Sequence, residues 1–408
     1  VSNNTPTSWP DDPSFDTYAG VFLTSASHDV KVIGNTIGLA SFGGSLQASN
    51  AYGNAGDGII VTSSDNVIGG TAASDANVIA GNTRHGIVVR GAAVTGTRIL
   101  GNYLGVHPGL PSNFAIGNAL DGVLVNSSLV NVIGGSAAGE ANTIAGNGRH
   151  GVSVRKSSTG LTIGWGNLVQ KNRIFHNGGL GIDLERSLNA EDDPARSENP
   201  TNYANGDQVQ PVICLGSEVS GNCVGASAPA FAAGNTTLEW TLASHAGDFR
   251  VEFYVLDGTQ TSTATGMSFL AEQNISRNAS GFTSAMCSAT RCSSTLVGDT
   301  RGKLLLMTVT EVTTTDVPPL GDGAGVTDGP THNTSEFSNG VVIALPAGTP
   351  PVFGAVPPQN ASVDVAFSLD LSTFVTATDG DPIDGYQVSV GSLPAGLQIN
   401  VPSLGMIS

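Results

Sequence analysis

The chain has 408 residues, 54 of them glycine, and its 33 acidic against 16 basic side chains give a net charge of −17 at pH 7. This acidic balance argues against nucleic-acid binding, which needs a basic face, and no apolar run approaches the roughly 18 residues of a membrane span. The glycines have no three-residue period, which excludes collagen, and a hydrophobic content of 39% argues against general disorder. Length and composition therefore predict an all-β chain with more than one domain.

An internal repeat occupies the first half of the chain. Residues 53–90 recur as residues 117–155, at an offset of 64 residues at the start and 65 at the end. The apolar phrases, such as Gly58-Ile-Ile-Val and Asn66-Val-Ile-Gly, are three or four residues long and β-branched. They are too short for helices and too closely spaced for sandwich hairpins, so they predict stacked coils of parallel strands. We expect three coils of about 22 residues in each unit, with Val and Ile stacked inside at roughly 4.8 Å.

Glycine and asparagine recur between these phrases, where the chain must turn. Both residues tolerate the left-handed backbone conformation that tight corners need. We expect the amides that follow a glycine to stack from coil to coil in a structural ladder, and these belong to Asn35, Asn82, Asn102, Asn118 and Asn147.

Residues from about 28 to 185, with phrases such as Asn66-Val-Ile-Gly-Gly, resemble the right-handed parallel β-helix repeats of exported bacterial proteins. The resemblance implies a β-helix over residues 1–204, with an N-terminal cap over about 1–27. It is specific for the fold alone, because such repeats occur in polysaccharide lyases and hydrolases, phage tailspikes and adhesins alike.

Longer alternating strands begin near Asn205, as in Phe249-Arg-Val-Glu-Phe-Tyr-Val, and predict a β-sandwich over residues 205–345 whose strands bury one face. This module holds all four cysteines in two close pairs, with no histidine at zinc-ligand spacing. Two local disulfides, Cys214–Cys223 and Cys287–Cys292, are the simplest of three possible pairings, and they predict an oxidising compartment.

A proline-rich linker leads to a third module over residues 346–408. Its phrases, among them Thr378-Asp-Gly-Asp-Pro and Leu393-Pro-Ala-Gly-Leu, resemble the cadherin-like, immunoglobulin-type modules of bacterial surface proteins. The family continues through one more strand element, so the resemblance implies a module that is truncated here. The complete expectation is an all-β chain: a right-handed parallel β-helix, a β-sandwich and a partial immunoglobulin-like sandwich.

Two pairs of basic residues stand at equivalent places in the repeat. Arg84-His85 and Arg149-His150 form a candidate glycan-binding stripe, because arginine binds carboxylated sugars through paired hydrogen bonds. The alternative is that a duplicated unit carries duplicated solvent-facing side chains. Asp57 and Asp121 also recur, but three coils would separate them by roughly 14 Å, too far for a pair of glycosidase carboxyls.

A polysaccharide lyase needs a base for the proton next to a uronate carboxyl and a cation to neutralise that carboxyl. Suitable side chains crowd together in one stretch, which makes catalytic candidates of Lys171, Arg173, His176, Asp183 and Glu185. The phrases of lyase families are missing, and few aromatic residues are present to stack on sugar rings.

Calcium is the only cofactor that the sequence suggests, because Ca²⁺ takes six to eight oxygen ligands. Carboxylates gather in two loops, the first with Asp183, Asp192, Asp193 and Asp207, the second with Asp379 and Asp381. The alternative is that both are solvated acidic loops.

Two functions remain open at this point. The sequence favours a non-catalytic fragment of a secreted or cell-surface bacterial protein, with a structural or adhesive β-helix and polysaccharides or cell-surface glycans as its partners. The alternative is a polysaccharide lyase or glycoside hydrolase that acts on acidic polysaccharide along one face of the β-helix.

Overall fold

The structure is a computed structural model that describes residues 18–42, 45–47, 53–109, 116–155, 164–185, 205, 208–257, 266–298, 300–312 and 333–343, with short strands between 352 and 407. Residues Val1–Ile343 form one compact unit and Ala344–Ser408 a second. The described part of the chain is all-β apart from short 3-10 turns, among them Ala73–Asp75. None of its helices is long and apolar enough to cross a membrane.

Three parallel sheets run side by side through residues 21–185, as a parallel β-helix requires. The first sheet contains β1 (Val21–Leu23), β6 (Ile59–Val61), β9 (Ile87–Arg90), β12 (Val123–Asn126), β15 (Val152–Arg155) and β18 (Ile182–Glu185). The second contains β2 (Lys31–Val32), β7 (Val67–Gly69), β10 (Arg98–Leu100), β13 (Val132–Gly134) and β16 (Leu168–Gln170). The third contains β3 (Thr36–Ile37), β8 (Val78–Ile79), β11 (Tyr103–Leu104), β14 (Thr143–Ala145) and β17 (Arg173–Phe175). A small antiparallel hairpin, β4 (Ala40–Phe42) and β5 (Ser45–Gln47), leaves the first coil.

Each repeat contains two coils, and the expectation of three was wrong. Strands of the first sheet begin at Ile59, Ile87, Val123 and Val152, so successive coils advance by 28, 36 and 29 residues. Each of the first five coils contributes one strand to each of the three sheets, so the six strands of one repeat make two coils. The turns are longer than the estimate assumed: the one between β7 and β8, for instance, contains the 3-10 turn Ala73–Asp75. Right-handed winding stays a prediction, in line with the general hand of parallel crossovers.

Rows of β-branched and leucine side chains fill the interior. In the first sheet Ile59, Ile87, Val123, Val152 and Ile182 are in register and almost fully buried. The other two sheets contribute equivalent rows, and all belong to one continuous core. Burial of this apolar surface is the main favourable term for a chain with so few charged residues.

Asparagine side chains form two ladders that run through five coils each. Within each ladder, Nδ2 donates to Oδ1 of the next rung at 2.7–3.1 Å. The first ladder comprises Asn35, Asn77, Asn102, Asn142 and Asn172, and the second comprises Asn54, Asn82, Asn118, Asn147 and Asn177. The five asparagines predicted to stack are thus all rungs, although they belong to different ladders.

A third corner has asparagine in most coils but threonine at position 97. Asn131 Nδ2 donates to Asn167 Oδ1 at 2.8 Å, and Asn131 Oδ1 accepts the Thr97 N–H at 3.1 Å. The Thr97 hydroxyl is buried and has no hydrogen-bond partner among the described residues.

Thr97→Asn should therefore complete the third ladder. The amide would join Asn66 to Asn131 and replace an unpaired buried hydroxyl, so we expect the free energy of unfolding to rise by about 1 kcal/mol. Thr97→Val, which removes the hydroxyl without adding a rung, is the control. Equal denaturation midpoints for the two variants would show that the third ladder adds no stability.

Two antiparallel sheets follow the β-helix and pack against each other as a sandwich. One contains β19 (Val212–Ile213), β20 (Ala230–Ala232), β21 (Asn235–Thr241) and β25 (Cys292–Val297). The other contains β22 (Gly247–Asp257), β23 (Gly266–Asn278), β24 (Gly281–Phe282), β26 (Leu304–Glu311) and β27 (Val341–Val342). Both predicted disulfides, Cys214–Cys223 and Cys287–Cys292, are present.

Strand β22 buries both of its faces, whereas the sequence predicted one. Val251 and Phe253 point into the sandwich core, around the fully buried Trp240. Tyr254 and Leu256 point the other way and join the core of the β-helix. Because side chains alternate along a strand, one strand serves two cores, and the second sheet of the sandwich packs on the last coil of the β-helix.

The described residues of the second unit form five short antiparallel strands, β28 (Val352–Phe353), β29 (Leu369–Asp370), β30 (Val375–Thr376), β31 (Ile399–Asn400) and β32 (Met406–Ile407). Strand β28 pairs with β30, and β32 pairs with both β29 and β31. The part of this unit that the structure describes is therefore antiparallel β structure, and the cadherin-like character of the module stays a prediction.

Candidate functional site

Four ionisable side chains occupy the same place in successive coils. Asp57, His85, Asp121 and His150 each lie two residues before a strand of the first sheet, and we call them the Asp/His column. All four are at most 3% exposed. Because the repeat contains two coils, aspartate and histidine alternate along the column.

Each member of the column accepts a backbone N–H from the next coil. Asp57 Oδ1 accepts the His85 N–H at 2.9 Å, and Asp121 Oδ1 accepts the His150 N–H at 3.0 Å. His85 Nδ1 faces the Asp121 N–H at 3.2 Å, and His150 Nδ1 faces the Leu180 N–H at 2.8 Å. The column thus satisfies amides at the corner before each strand of the first sheet.

Three arginines lie around the carboxylates of the column. Arg84 Nε is 3.5 Å from Asp57 Oδ1, while Arg149 Nη1 and Arg155 Nη2 are 3.8 and 3.4 Å from Asp121 Oδ2. The Arg84 and Arg149 side chains are 11% and 20% exposed, whereas the two imidazoles are buried. Solvent-facing side chains, the alternative weighed for the Arg-His pairs, therefore do not describe His85 and His150. Glycan binding by Arg84, His85, Arg149 and His150 stays a prediction.

Burial raises the pKa of Asp121, but the hydrogen bond and charge of His85 and the charges of Arg155 and His150 outweigh it, so the pKa is lowered overall. A carboxyl whose pKa is lower in the folded state stabilises the fold above its unfolded pKa, and this stability is lost as the pH falls through the folded pKa.

Asp121→Asn should therefore lower stability at neutral pH and flatten the loss of stability in acid. The amide keeps an Oδ1 acceptor for the His150 N–H but cannot pair as a charge with the arginines. Denaturation midpoints from about pH 6 to about pH 2.5 measure this slope. If the variant and the parent chain lose stability in parallel on acidification, Asp121 is not responsible for the slope.

The corrected coil count also changes the geometry of Asp57 and Asp121. They are two coils apart, or about 9.6 Å, instead of the roughly 14 Å first expected. Carboxyls of an inverting glycosidase are about 6.5–9.5 Å apart and hold a water and a sugar between them. Here the buried His85 belongs to the intervening coil and bonds to both neighbours, Asp57 through its N–H and Asp121 through Nδ1.

The five catalytic candidates make different contacts in the structure. Lys171 and Arg173 contact the sandwich: Lys171 Nζ is 3.1 Å from Glu272 Oε2, and Arg173 Nε donates to the Met267 carbonyl at 3.0 Å. Asp183 is buried, with Oδ2 3.5 Å from His150 Nε2. His176 has a left-handed backbone, and its carbonyl accepts the Gly146 N–H. Glu185 ends β18, where it pairs with Arg155 in the sheet.

Side chains of the sandwich cap the last coil of the β-helix. Amides that would bond to a further coil reach the sandwich instead: the Val169 N–H donates to Thr334 Oγ1 at 3.0 Å, and the Leu184 N–H to Glu336 Oε1 at 2.9 Å. The Gly166 and Lys171 amides donate likewise to Asn333 Oδ1 and Glu252 Oε2. Unpaired strand amides invite further stacking, so this cap closes the end of the β-helix.

The centre of the cap is a buried acid-phenol pair. The Tyr254 hydroxyl donates to Glu252 Oε2 at 2.5 Å, and Glu252 is fully buried. Burial raises the pKa of Glu252 despite the Tyr254 hydrogen bond, and burial together with the nearby Glu252 raises the pKa of Tyr254 well above its ordinary value. Arg250 Nε lies 3.5 Å from Glu252 Oε1.

The calcium prediction falls mostly outside the described residues, which include Asp183 but not Asp192, Asp193, Asp207, Asp379 or Asp381. Within the described ranges, no three His, Cys, Asp or Glu side chains are grouped so that they could hold a metal ion. Asp183 itself lies beside His150. Calcium binding therefore stays a prediction for the acidic loops.

Sequence reasoning missed the column and the cap for different reasons. An aspartate or histidine precedes Gly58, Gly86, Gly122 and Gly151, so the column has a local signal that a two-coil repeat would have exposed. The cap joins residues more than 80 positions apart and has no such signal. No family model matches the chain, and no curated protein matches it.

Proposed function

We propose that the chain is a rigid, non-catalytic module of a secreted or cell-surface bacterial protein. In this role the β-helix is a stiff body with fixed side faces, and the sandwich closes one of its ends. The two disulfides support an oxidising, extracytoplasmic location.

One observation carries this proposal: the side chains best suited to catalysis are engaged in holding coils together. Asp57, His85, Asp121 and His150 accept amides of the next coil and are buried. Lys171 forms an ion pair with the sandwich. A lyase or hydrolase needs its acid and base within reach of a bound sugar, and burial keeps the column away from such a ligand.

Incubation with a panel of uronate polymers tests the proposal. The ultraviolet absorbance of an unsaturated product reports lyase activity, and new reducing ends report hydrolysis. We expect neither. Product that accumulates with the parent chain and disappears with Asp121→Asn, at temperatures where both are folded, would replace the proposal with the polysaccharide lyase or hydrolase alternative.

We propose acidic glycans as the binding partners of this module, which would adhere to them. Arg84 and Arg149 are partly exposed and two coils apart on one corner, so they offer two cations to a chain of carboxylated sugars. We expect Arg84→Ala/Arg149→Ala to weaken retention on immobilised uronate polymers. Arg98→Ala, which removes a 49% exposed arginine of the second sheet, is the matched control. Equal retention of both variants and the parent chain would exclude this corner as the binding surface.

A further inference from the structure

All members of the Asp/His column accept a backbone N–H of the next coil, but two do so through a carboxylate and two through an imidazole. A carboxylate oxygen accepts the next amide over the whole neutral range. An imidazole nitrogen accepts it only without a proton, and histidine is the side chain that ordinarily changes charge between pH 5 and 8. The two histidines are therefore the members of the column that lose their acceptor when Nδ1 takes a proton.

The two histidines have different neighbours at Nδ1. His85 Nδ1 is 3.1 Å from Asp121 Oδ2, so a proton on this nitrogen would find a carboxylate acceptor. The position that follows His150 in the column is Leu180, whose side chain is apolar. A proton on His150 Nδ1 would point at the Leu180 N–H, which now donates to that nitrogen at 2.8 Å.

The charged groups around His150 do not remove the repulsion between a proton on Nδ1 and the Leu180 N–H. Asp183 Oδ2 lies 3.5 Å from Nε2, on the opposite side of the ring from Nδ1. Asp121 Oδ1 accepts the His150 backbone N–H, and Arg149 and Arg155 lie beside Asp121 Oδ2. Among the described residues, these neighbours contact Nε2, the backbone N–H and the Asp121 carboxylate rather than Nδ1.

Close packing also holds the ring in place. A Cβ atom on Gly179 would lie 2.7 Å from His150 Nδ1, so the backbone of this glycine packs directly against the imidazole. Leu180 then leads into β18, whose Leu184 N–H donates to Glu336 of the cap. Loss of the Leu180 contact would therefore loosen the segment that connects the column with the cap.

We propose that His150 is an acid-sensitive contact between the fifth and sixth coils of the β-helix. Its neutral imidazole holds the Leu180 amide, and its protonation releases that amide and loosens β18 at the capped end. The device requires no ligand, and it stands whether or not the module binds glycans.

Hydrogen exchange of single amides, followed by NMR between about pH 7.5 and about pH 5, tests this proposal. After correction for the intrinsic pH dependence of exchange, we expect protection of the Leu180 amide to fall about tenfold in acid, in keeping with the loss of one hydrogen bond. Protection of the Asp121 amide, which faces His85, should fall less. Unchanged protection of Leu180 across this range would overturn the proposal.

His150→Asn is the matched variant, because its side-chain amide can accept the Leu180 N–H but does not titrate in this range. We expect it to keep Leu180 protected at both pH values. A variant as acid-sensitive as the parent chain would assign the effect to another group. Imidazole ¹⁵N shifts of the parent chain give a readout that does not depend on the variant's folding: at neutral pH the His150 proton should be on Nε2, and a proton on Nδ1 would contradict the mechanism.

Discussion

Replacing Gly105 with alanine should destabilise the β-helix more than any ordinary surface substitution. Gly105 has a φ of +80°, and a Cβ atom there would lie 2.3 Å from the Ala145 carbonyl oxygen and 2.4 Å from Asn147 Oδ1. Both atoms belong to the next coil, and Asn147 Oδ1 accepts a hydrogen bond from Asn118 Nδ2. Neither atom can therefore move away from the new Cβ without shifting the asparagine ladder. We expect a loss of more than about 4 kcal/mol in the free energy of unfolding, a value typical of severe steric or packing defects.

Gly221 supplies the control for this experiment. It has the same φ of +80°, but a Cβ atom there would meet nothing within 4 Å. Gly221→Ala therefore measures the backbone strain alone, about 1–2 kcal/mol. The difference between the two variants in denaturant unfolding isolates the close approach of neighbouring coils. Equal losses would mean that the coils are not packed as tightly as the structure has them.

Removal of an amide from the middle of a ladder should have the second-largest effect. Asn118 Nδ2 donates to the Ile79 carbonyl at 3.0 Å and to Asn147 Oδ1 at 2.9 Å, and Asn118 Oδ1 accepts from Asn82 Nδ2 at 2.7 Å. Asn118→Ala removes a hydrogen-bond partner from three buried groups, namely the Ile79 carbonyl, Asn147 Oδ1 and Asn82 Nδ2. Since each unsatisfied buried group costs about 1–3 kcal/mol, we expect a loss of about 3–5 kcal/mol after partial relaxation.

Asn54, the first rung of the same ladder, is the matched control. It is half-buried, and its Nδ2 donates to Asn82 Oδ1 at 2.8 Å. We expect Asn54→Ala to lower the free energy of unfolding by about 1 kcal/mol. Should the two variants unfold at the same denaturant concentration, the ladder would contribute through local turn preferences rather than through hydrogen bonds between coils.

The sequence predicted the β-helix because its evidence is local. Short Val/Ile phrases with glycine and asparagine between them leave few alternatives, and the structure confirms their parallel stacking. The number of coils was wrong because turn length is only weakly encoded: 36 residues separate Ile87 from Val123, against 28 between Ile59 and Ile87. That error also displaced the predicted position of Asp57 relative to Asp121.

The candidate site was less predictable than the fold because its contacts are tertiary. The sequence shows the Arg-His pairs as repeated charges. The alternation of His85 with Asp121 is visible only when single coils, rather than whole two-coil repeats, are aligned with each other. Glu252 lies in an alternating strand, where a charged residue predicts a solvent face. It is buried because the last coil of the β-helix covers that face and donates the Lys171 amide to it.

Pairwise cross-linking of cysteines tests the winding of the coils most directly. Val67 and Arg98 are Cα partners on adjacent strands of the second sheet, whereas Val132 is two coils from Val67. Adjacent strands lie about 4.8 Å apart, within the Cα range of a disulfide, and two coils exceed it. The four native cysteines are already paired. Under oxidation we predict a cross-link in Val67→Cys/Arg98→Cys and none in Val67→Cys/Val132→Cys, and the reverse result would contradict the two-coil repeat on which this account depends.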